Sequence, residues 1–332
     1  MTVTIGRREL PVALGGAAAV WPLVARAQQR AKLSTIGLLG AATLSTTSPW
    51  VAAFLQRLRD FGWVEGRNIA IEYRWAEGHE DRLPELATEL VGLKVDVIVT
   101  TGTPGTLAAK RATQTIPIVM TATGDPLRSG LVTSLARPGG NVTGLSTLRS
   151  ELEGKRLDLF KQTFPRFSRV AMLWDSANPS TKFYLPHIEA AARASHVTLQ
   201  PAVAVRRVED LDRAFAAIAR GHADALFVVS GRSLLAERGR IVEFAAKSRL
   251  PAIYPYREYV ETGGLMSYSA NYPDLYRGAA LYVDKILKGA KPADLPVQQS
   301  ARFDLAINLK TAKALGLTIP PALLARADQV IQ

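Results

Sequence analysis

Cysteine is absent from the 332 residues of the chain. Its absence excludes a disulfide framework, a lipid anchor on a processed N-terminal cysteine, and thiolate catalysis or metal binding. Histidine is scarce. His79, His187, His196 and His222 fall in predicted loops or helices, away from the C-terminal ends of the predicted strands. An α/β enzyme would want a base poised near neutrality at such an end, and no histidine is placed for it. His79-Glu80-Asp81 is not the H-E-x-x-H of a zinc site and reads as an exposed helix start. There is no G-x-S-x-G elbow and no G-x-G-x-x-G turn after the first strand. Gly139–Gly144 has the glycine spacing of a Walker A loop, but Leu145-Ser146 stand where the lysine is needed. No catalysis, no cofactor and no metal are expected. Past residue 27, no stretch reaches the roughly 18 uncharged apolar residues of a membrane span.

What is present is apolar mass and positive charge. Hydrophobic residues make up 48% of the chain and aromatics 7%, so alanine, leucine and valine do most of the packing. The length suits two domains of ordinary size. The net charge of +12 favours anionic partners. The basic residues are scattered, however, and no helix-turn-helix or RNA-binding signature stands out, so no nucleic acid partner is expected. The N-terminus reads as an export signal. Arg7-Arg8-Glu9-Leu10 precede the weakly apolar "PVALGGAAAVWPLV", and Ala25-Arg26-Ala27 form an A-x-A cleavage site. The paired arginines with Leu10 resemble a twin-arginine signal, and a general secretory signal is the alternative. Residues 1–27 are set aside as signal, and a periplasmic location is expected.

The remaining chain alternates two periodicities. Strand-like segments are 33–40, 68–75, 95–100, 116–122 and 141–145, with helices over 50–61, 81–93 and 129–136. The pattern then restarts, with helix 153–164, strand 169–175, helix 181–194, strand 197–203, helix 208–220, strand 223–229, helix 234–248 and strand 251–256. This is an α/β chain with two doubly wound parallel-sheet lobes. The join falls near Gly144–Ser150. The tail (strand 263–269, the amphipathic helix 273–288, polar "GAKPADLPVQQ", strand "FDLAINL" and a helix near 310–315) suggests further passages between the lobes. The expected division is 28–146 plus about 265–290 for lobe 1, and 147–264 plus about 291–332 for lobe 2.

Small polar residues gather where the strands end. "VIVTTGTPGTLAAK" (97–110) is a strand, a glycine turn and a helix with Pro104 in its first turn. Thr101-Gly102-Thr103 there combine hydroxyls with helix N–H groups, which suits a carboxylate or another small oxyanion. Similar sets follow other strands: Thr121, Thr123 and Asp125; Asp175, Ser176 and Asn178; Ser230, Gly231, Arg232 and Ser233; Tyr254 and Tyr256. Ligands of open α/β sheets bind beyond the carboxyl ends of the strands. Both halves would therefore face one cleft. Asp125 and Asp175 read as a turn cap and a ligand partner rather than as a catalytic pair.

Four stretches carry a family resemblance: "GDPLRSGLVTSLARPGGNVTGLS" (124–146), "LPAIYPYREYVETGGLMSY" (250–268), "AALYVDKILKGAKPADLPVQQ" (279–299) and "NLKTAKALGLTIPPALLARADQVI" (308–331). Through them the chain resembles the ABC-transporter substrate-binding proteins of the tryptophan/tyrosine-type family, over essentially its whole length past the signal. The resemblance implies a type I periplasmic-binding-protein fold, with two lobes, three crossovers and a hinge that closes on ligand. It implies no enzymatic activity, a small-molecule ligand such as an aromatic amino acid or related organic acid, and an inner-membrane permease–ATPase complex as partner. A monomer is expected. The implied carboxylate holders are Thr101, Gly102, Thr103, Thr121 and Thr123, with Asp125 or Asp175 for an ammonium group. Tyr254, Tyr256 or Trp50 would stack on a ring, and Ser176, Asn178 and Ser230 complete the expected ligand set. A ligand-sensing domain of a receptor or regulator is the alternative reading, and an α/β enzyme a further one.

Overall fold

In the computed structural model, which describes Met1, residues 33–147 and residues 149–332, the alternation of strands and helices runs from end to end. The expected signal at 1–27 lies, apart from Met1, outside the described residues. The first half holds β1 (Ser34–Gly40), α1 (Leu44–Asp60), β2 (Ile69–Trp75), α2 (Leu83–Gly92), β3 (Val97–Thr100), α3 (Gly102–Ala112), β4 (Ile118–Thr123) and β5 (Val142–Ser146). The second holds α4 (Arg149–Thr163), β6 (Arg169–Asp175), α5 (Thr181–Ala194), β7 (Thr198–Leu199), β8 (Val203–Val205), α6 (Leu211–Arg220), β9 (Ala225–Val228), α7 (Arg232–Ala236), α8 (Arg238–Lys247), β10 (Ala252–Tyr254), α9 (Arg257–Glu261) and β11 (Met266–Ala270). The tail adds α10 (Tyr272–Leu287), β12 (Gln298–Gln299), β13 (Phe303–Asn308), α11 (Leu309–Ala314), α12 (Pro321–Leu324) and β14 (Gln329–Ile331).

Two sheets result. The first runs β2-β1-β3-β4-β5-β12 and is parallel throughout. The second runs β7-β6-β9-β10-β11-β13-β14, with β8 also on β6, and only the β11–β13 pair is antiparallel. β3, β4 and β9 are buried along their whole length, as parallel strands covered on both faces must be. Strand order reverses between β1 and β3 in one sheet and between β6 and β9 in the other. Those reversals open a crevice at the carboxyl ends of the strands, where the loops rich in small polar residues lie. Among the described residues no helix is long and apolar enough to cross a membrane.

The chain passes between the sheets three times: between Ser146 and Arg149, at Asn271, and between Gln299 and Phe303. The passages run side by side. Ser300 N donates to Ser146 O (2.8 Å) and Asn271 N to Arg302 O (3.1 Å). The lobe boundaries in the tail differ from those expected. The strand at 266–270 pairs with β10 and β13, so it belongs to the second sheet. Gln298–Gln299 pairs with β5 in the first.

Local differences have local causes. α1 begins six residues before Trp50, because the Thr43 hydroxyl caps it at Thr46 N (3.2 Å). Pro49 lies inside the helix, and the Ser45 carbonyl that its missing N–H leaves free is taken by the Ser48 hydroxyl (3.0 Å). The helix expected over 129–136 is a series of turns. Its carbonyls go elsewhere, Gly130 O to Lys110 Nζ (2.7 Å) and Leu135 O to Val297 N (2.7 Å). The helix expected over 234–248 starts earlier and breaks at Glu237 into α7 and α8. Pro201 splits the strand expected over 197–203 into β7 and β8.

Gly144 in β5 has a φ of +122°, and a Cβ there would lie 2.2 Å from Met120 O and 2.7 Å from Met120 N. The obstacle is backbone and cannot swing aside. Gly144→Ala is expected to cost about 2 kcal/mol or more of stability. A urea melt showing less than about 0.5 kcal/mol would overturn this.

Candidate functional site

The crevices of the two lobes face each other. Trp50 on α1 donates Nε1 to Glu258 Oε1 of α9 (2.7 Å). Arg238 Nη1 of α8 reaches Thr46 Oγ1 of α1 (3.3 Å), and the Ser129 and Ser180 hydroxyls meet at 3.4 Å. Between these contacts lies a small cavity of about 10 Å³, lined from the first lobe by Gly102, Thr103, Pro104, Ala122 and Gly124, and from the second by Asn178, Tyr184, Ser230, Gly231, Arg232 and Tyr256. Arg149, just past the first passage, closes it. That volume is about one water molecule's worth. A groove of about 600 Å³ adjoins it through Pro104 and carries Glu80, Arg111, Ser176, Arg206 and Arg207.

Two arginines dominate the chemistry. Arg149 donates Nη1 to Tyr256 Oη (3.1 Å), Nη2 to Tyr272 Oη, and Nε to Thr147 Oγ1 (3.4 Å). Its bonds tie the first and second passages together. Arg232 starts α7, directly after β9. Its guanidinium carbon lies 4.7 Å from the Trp50 ring, 4.6 Å from Tyr272 and 5.1 Å from Tyr256. The residue is 4% exposed, yet no acceptor of the protein reaches Nη1 or Nη2. Opposite it, α3 begins at Gly102 in the left-handed region (φ +76°), and a Cβ on Gly102 would sit 3.6 Å from Arg232 Cγ. Thr101 precedes this helix without capping it. An uncapped helix N-terminus and an unpaired guanidinium thus line one cavity, a combination suited to an anion.

Behind the cavity, Asp175 ends β6 and accepts from Ser233 Oγ and from Ala177 N (3.0 Å). Burial raises its pKa against those hydrogen bonds. The wall bearing Ser230 is held by Glu153 and Arg156 of α4. This ion pair is 0% and 1% exposed. Arg156 Nη2 donates to Val228 O (2.6 Å), and Ser230 N donates to Glu153 Oε1 (3.3 Å).

Of the residues singled out in the sequence, Gly102, Thr103, Asn178, Ser230 and Tyr256 line the cavity, Trp50 and Thr101 adjoin it, and Ser176 lines the groove. Others are placed elsewhere. The Thr121 hydroxyl donates to Thr100 O of β3 (3.0 Å), and the Thr123 hydroxyl meets that of Thr106 on α3 (3.2 Å). Asp125 caps Arg128 N (3.1 Å). Tyr254 stacks on Tyr259 at 4.8 Å inside the second lobe. The histidine turn needs a correction: His79 and Asp81 are exposed, but the Glu80 carboxylate is buried. Arg149, Tyr272 and Glu80 stand outside the ligand set expected from the sequence, and Arg232 stands in it only as a strand-end residue. The one signal in the chain was position, since Arg232 and Arg149 each directly follow a strand and its turn. Among the described residues no cluster of three or more His, Asp or Glu could hold a metal.

The fold and the cleft define a class: two α/β lobes joined by three passages, with a polar interlobe site, are the architecture of a solute-binding protein. The chain belongs to the ABC transporter substrate binding protein family, whose sequence model matches residues 47–331. A tyrosine-binding protein of Clostridioides difficile (strain R20291) is 28% identical over 265 residues, 80% of this chain and 75% of that one. Two solved structures superpose on 90% of this chain and 100% of theirs. One is a conserved domain protein of Vibrio cholerae (29% identical, TM-score 0.84). The other is an ABC domain of Streptococcus pneumoniae in complex with L-Trp (27% identical, TM-score 0.83).

Proposed function

We propose that this chain captures a small carboxylate-bearing ligand, an aromatic amino acid or a related organic acid, between its lobes and hands it to the permease–ATPase complex of an importer. The observation that carries the reading is Arg232. A buried guanidinium without an acceptor is costly, and a carboxylate offers it the bidentate partner its geometry fits. The uncapped start of α3 faces the same point. The aromatic residues around Arg232 and the relatives named for tyrosine and crystallised with L-Trp support an aromatic ligand.

The volume supports a cycle of opening and closing. A cavity of about 10 Å³ admits no amino acid, so a ligand enters only when the lobes part. The three passages between the sheets are the natural hinge. Ligand then shifts the population back toward the closed form, which the permease recognises. The paired-arginine signal supports export to the periplasm, where a soluble monomer would meet its permease.

The test is a thermal-shift screen of the full chain against amino acids and aromatic acids. A ligand at a hundred times its Kd is expected to add about 2.7 kcal/mol, several degrees in Tm. If nothing carrying a carboxylate raises the Tm, the reading fails. Thr103→Val serves as a narrower probe of the first-lobe wall. It removes the hydroxyl that meets Gly124 N at 3.3 Å, and a roughly threefold to tenfold loss of affinity is expected. Unchanged affinity would remove Thr103 from the site.

A further inference from the structure

We propose that the bond between Trp50 and Glu258 is a proton-linked latch, which closes with Glu258 protonated and opens with it ionised, so that closure of the lobes takes up a proton. The inference rests on the opening and closing of the cleft and adds what sets the balance between the two states.

Trp50 and Glu258 belong to different lobes. α1, which carries Trp50, packs against α10, and α10 lies on β4 and β5 of the first sheet. α9, which carries Glu258, lies against β11 and β13 of the second. The indole Nε1 donates to Glu258 Oε1 at 2.7 Å, and both residues are buried. The second carboxylate oxygen, Oε2, is buried too, and no donor of the protein reaches it. Glu258 lines a cavity of about 10 Å³ together with Trp50, Ser269, Tyr272 and Asp304. The charges around it are engaged elsewhere. On α9 itself, Arg257 pairs with Glu261 (3.2 Å). On β13, Asp304 accepts from Asn271 Nδ2 (2.6 Å) and lies 3.3 Å from Arg302 Nε. On α10, Asp274 pairs with Arg277 (2.7 Å). On α7, Arg232 lies over the Trp50 ring (4.7 Å), and on α8, Arg238 turns to Thr46 Oγ1 (3.3 Å).

A buried carboxylate whose side-chain partner is one neutral indole N–H is poorly held away from water. A protonated carboxyl suits the place better. It still accepts from Trp50 on one oxygen, and its other oxygen donates into the cavity, which has the size of one water molecule. Burial, first of all, pushes the Glu258 pKa up. Its own backbone N–H acts against this, Glu261 adds to the rise, and Arg257 and the Trp50 bond oppose it. Burial and then Asp328 raise Asp304 across the cavity as well, against Arg302. Parting the lobes takes the indole away and admits water, and Glu258 then returns to the ordinary glutamate range of about 4.3.

The sign of the pH dependence follows. The closed form has the higher Glu258 pKa, so it holds more protons than the open form between the ordinary glutamate range and the raised value. Below that range the support for closure is complete, and it is lost as pH rises through the raised value. Ligand binds the closed form, so affinity changes in the same direction. Glu80 and Asp175 are buried elsewhere between the lobes with raised pKa values, and they act in the same sense. A change at Glu258 itself is what isolates the latch.

The experiment measures the distance between the lobes. The chain has no cysteine, so two introduced thiols can carry spin labels without background. Glu85→Cys on α2 and Glu209→Cys just after β8 put the labels on exposed residues, one in each lobe. Dipolar spectroscopy of the doubly labelled full chain, free of ligand, runs from about pH 5 to about pH 8. The ratio of long to short distances is expected to rise roughly tenfold or more with pH. Glu258→Gln keeps an acceptor for Trp50 and carries no charge. At the upper end it is expected to lower the ratio roughly threefold or more, and at the lower end to leave it unchanged. Two distances in a ratio that does not rise with pH overturn the latch and leave opening and closing in place, a result that needs no further variant to fold. A Glu258→Gln ratio equal to that of the parent at every pH does the same. A single distance at every pH overturns the opening of the cleft, and the latch with it.

Discussion

Arg232→Met is expected to weaken carboxylate ligands by about 2–5 kcal/mol, roughly thirtyfold to several thousandfold, while leaving the ligand-free chain as stable as before or more so. The two effects have one origin. The guanidinium is 4% exposed, and its terminal nitrogens have no acceptor within the protein. Stacking over Trp50, Tyr256 and Tyr272 returns part of the desolvation cost, about 2 kcal/mol for a buried cation–π contact, but not all of it. Methionine fills the space without a charge to desolvate. Binding, by contrast, loses the guanidinium fork that lines the cavity without an acceptor. Arg232→Lys separates charge from geometry: a lysine keeps the cation but not the planar pair of donors, and most of the affinity is expected to go with them. Titration calorimetry and urea melts on the same preparations give both numbers. A variant that loses stability along with affinity would show that Arg232 is a structural residue rather than a ligand-binding one.

Glu153→Ala is expected to destabilise the second lobe by about 3–5 kcal/mol, the cost of leaving a buried charge without its partner. Arg156 is 1% exposed on its side chain and lies 4.5 Å from the centre of the Phe227 ring. Without Glu153 its remaining acceptor is Val228 O. The same change removes the acceptor of Ser230 N, so the loop that carries Arg232 is expected to loosen as well. Replacing both members with leucine should cost less than either single alanine change, because no orphaned charge remains. A denaturant melt in which the single change costs under about 1 kcal/mol would remove the pair from the lobe's framework.

Much of this architecture was legible in the chain. β-branched runs such as "VDVIVT" and "IPIVM", each followed by a turn and a helix pattern, read as buried parallel strands with helices on both faces. That reading placed the loops Thr101–Thr103, Asn178 and Ser230 at strand ends, and the structure brings them to one cavity. It went astray where tertiary bonds outbid local preference. The segment 129–136 has helical composition, but its carbonyls are taken by Lys110 and Val297. The expected division gives the strand 266–270 to the first lobe, and its pairing with β10 and β13 assigns it to the second sheet.

The candidate site was legible by place and not by role. Hydroxyl residues at strand ends suit anions, which points to Thr121 and Thr123. The Thr121 hydroxyl instead bonds the neighbouring strand, and the Thr123 hydroxyl meets Thr106 of α3. Charged residues are usually solvated, and Arg149, Arg232 and Glu80 look no different in the chain from its other charged side chains. Burial is what makes them different, and burial here is produced by residues as distant as Trp50 and Tyr272.

By itself the sequence determined most of the order of strands and helices, the absence of cysteine and of nucleotide loops, and the positions where most strands end. These are properties of period, composition and local backbone preference, which act over a few residues. The tertiary structure decided which sheet each tail strand joins, which of the strand-end groups turn inward, and which charges lose their water without gaining a partner. Those outcomes depend on desolvation and on contacts between residues far apart in the chain, and no local pattern encodes them.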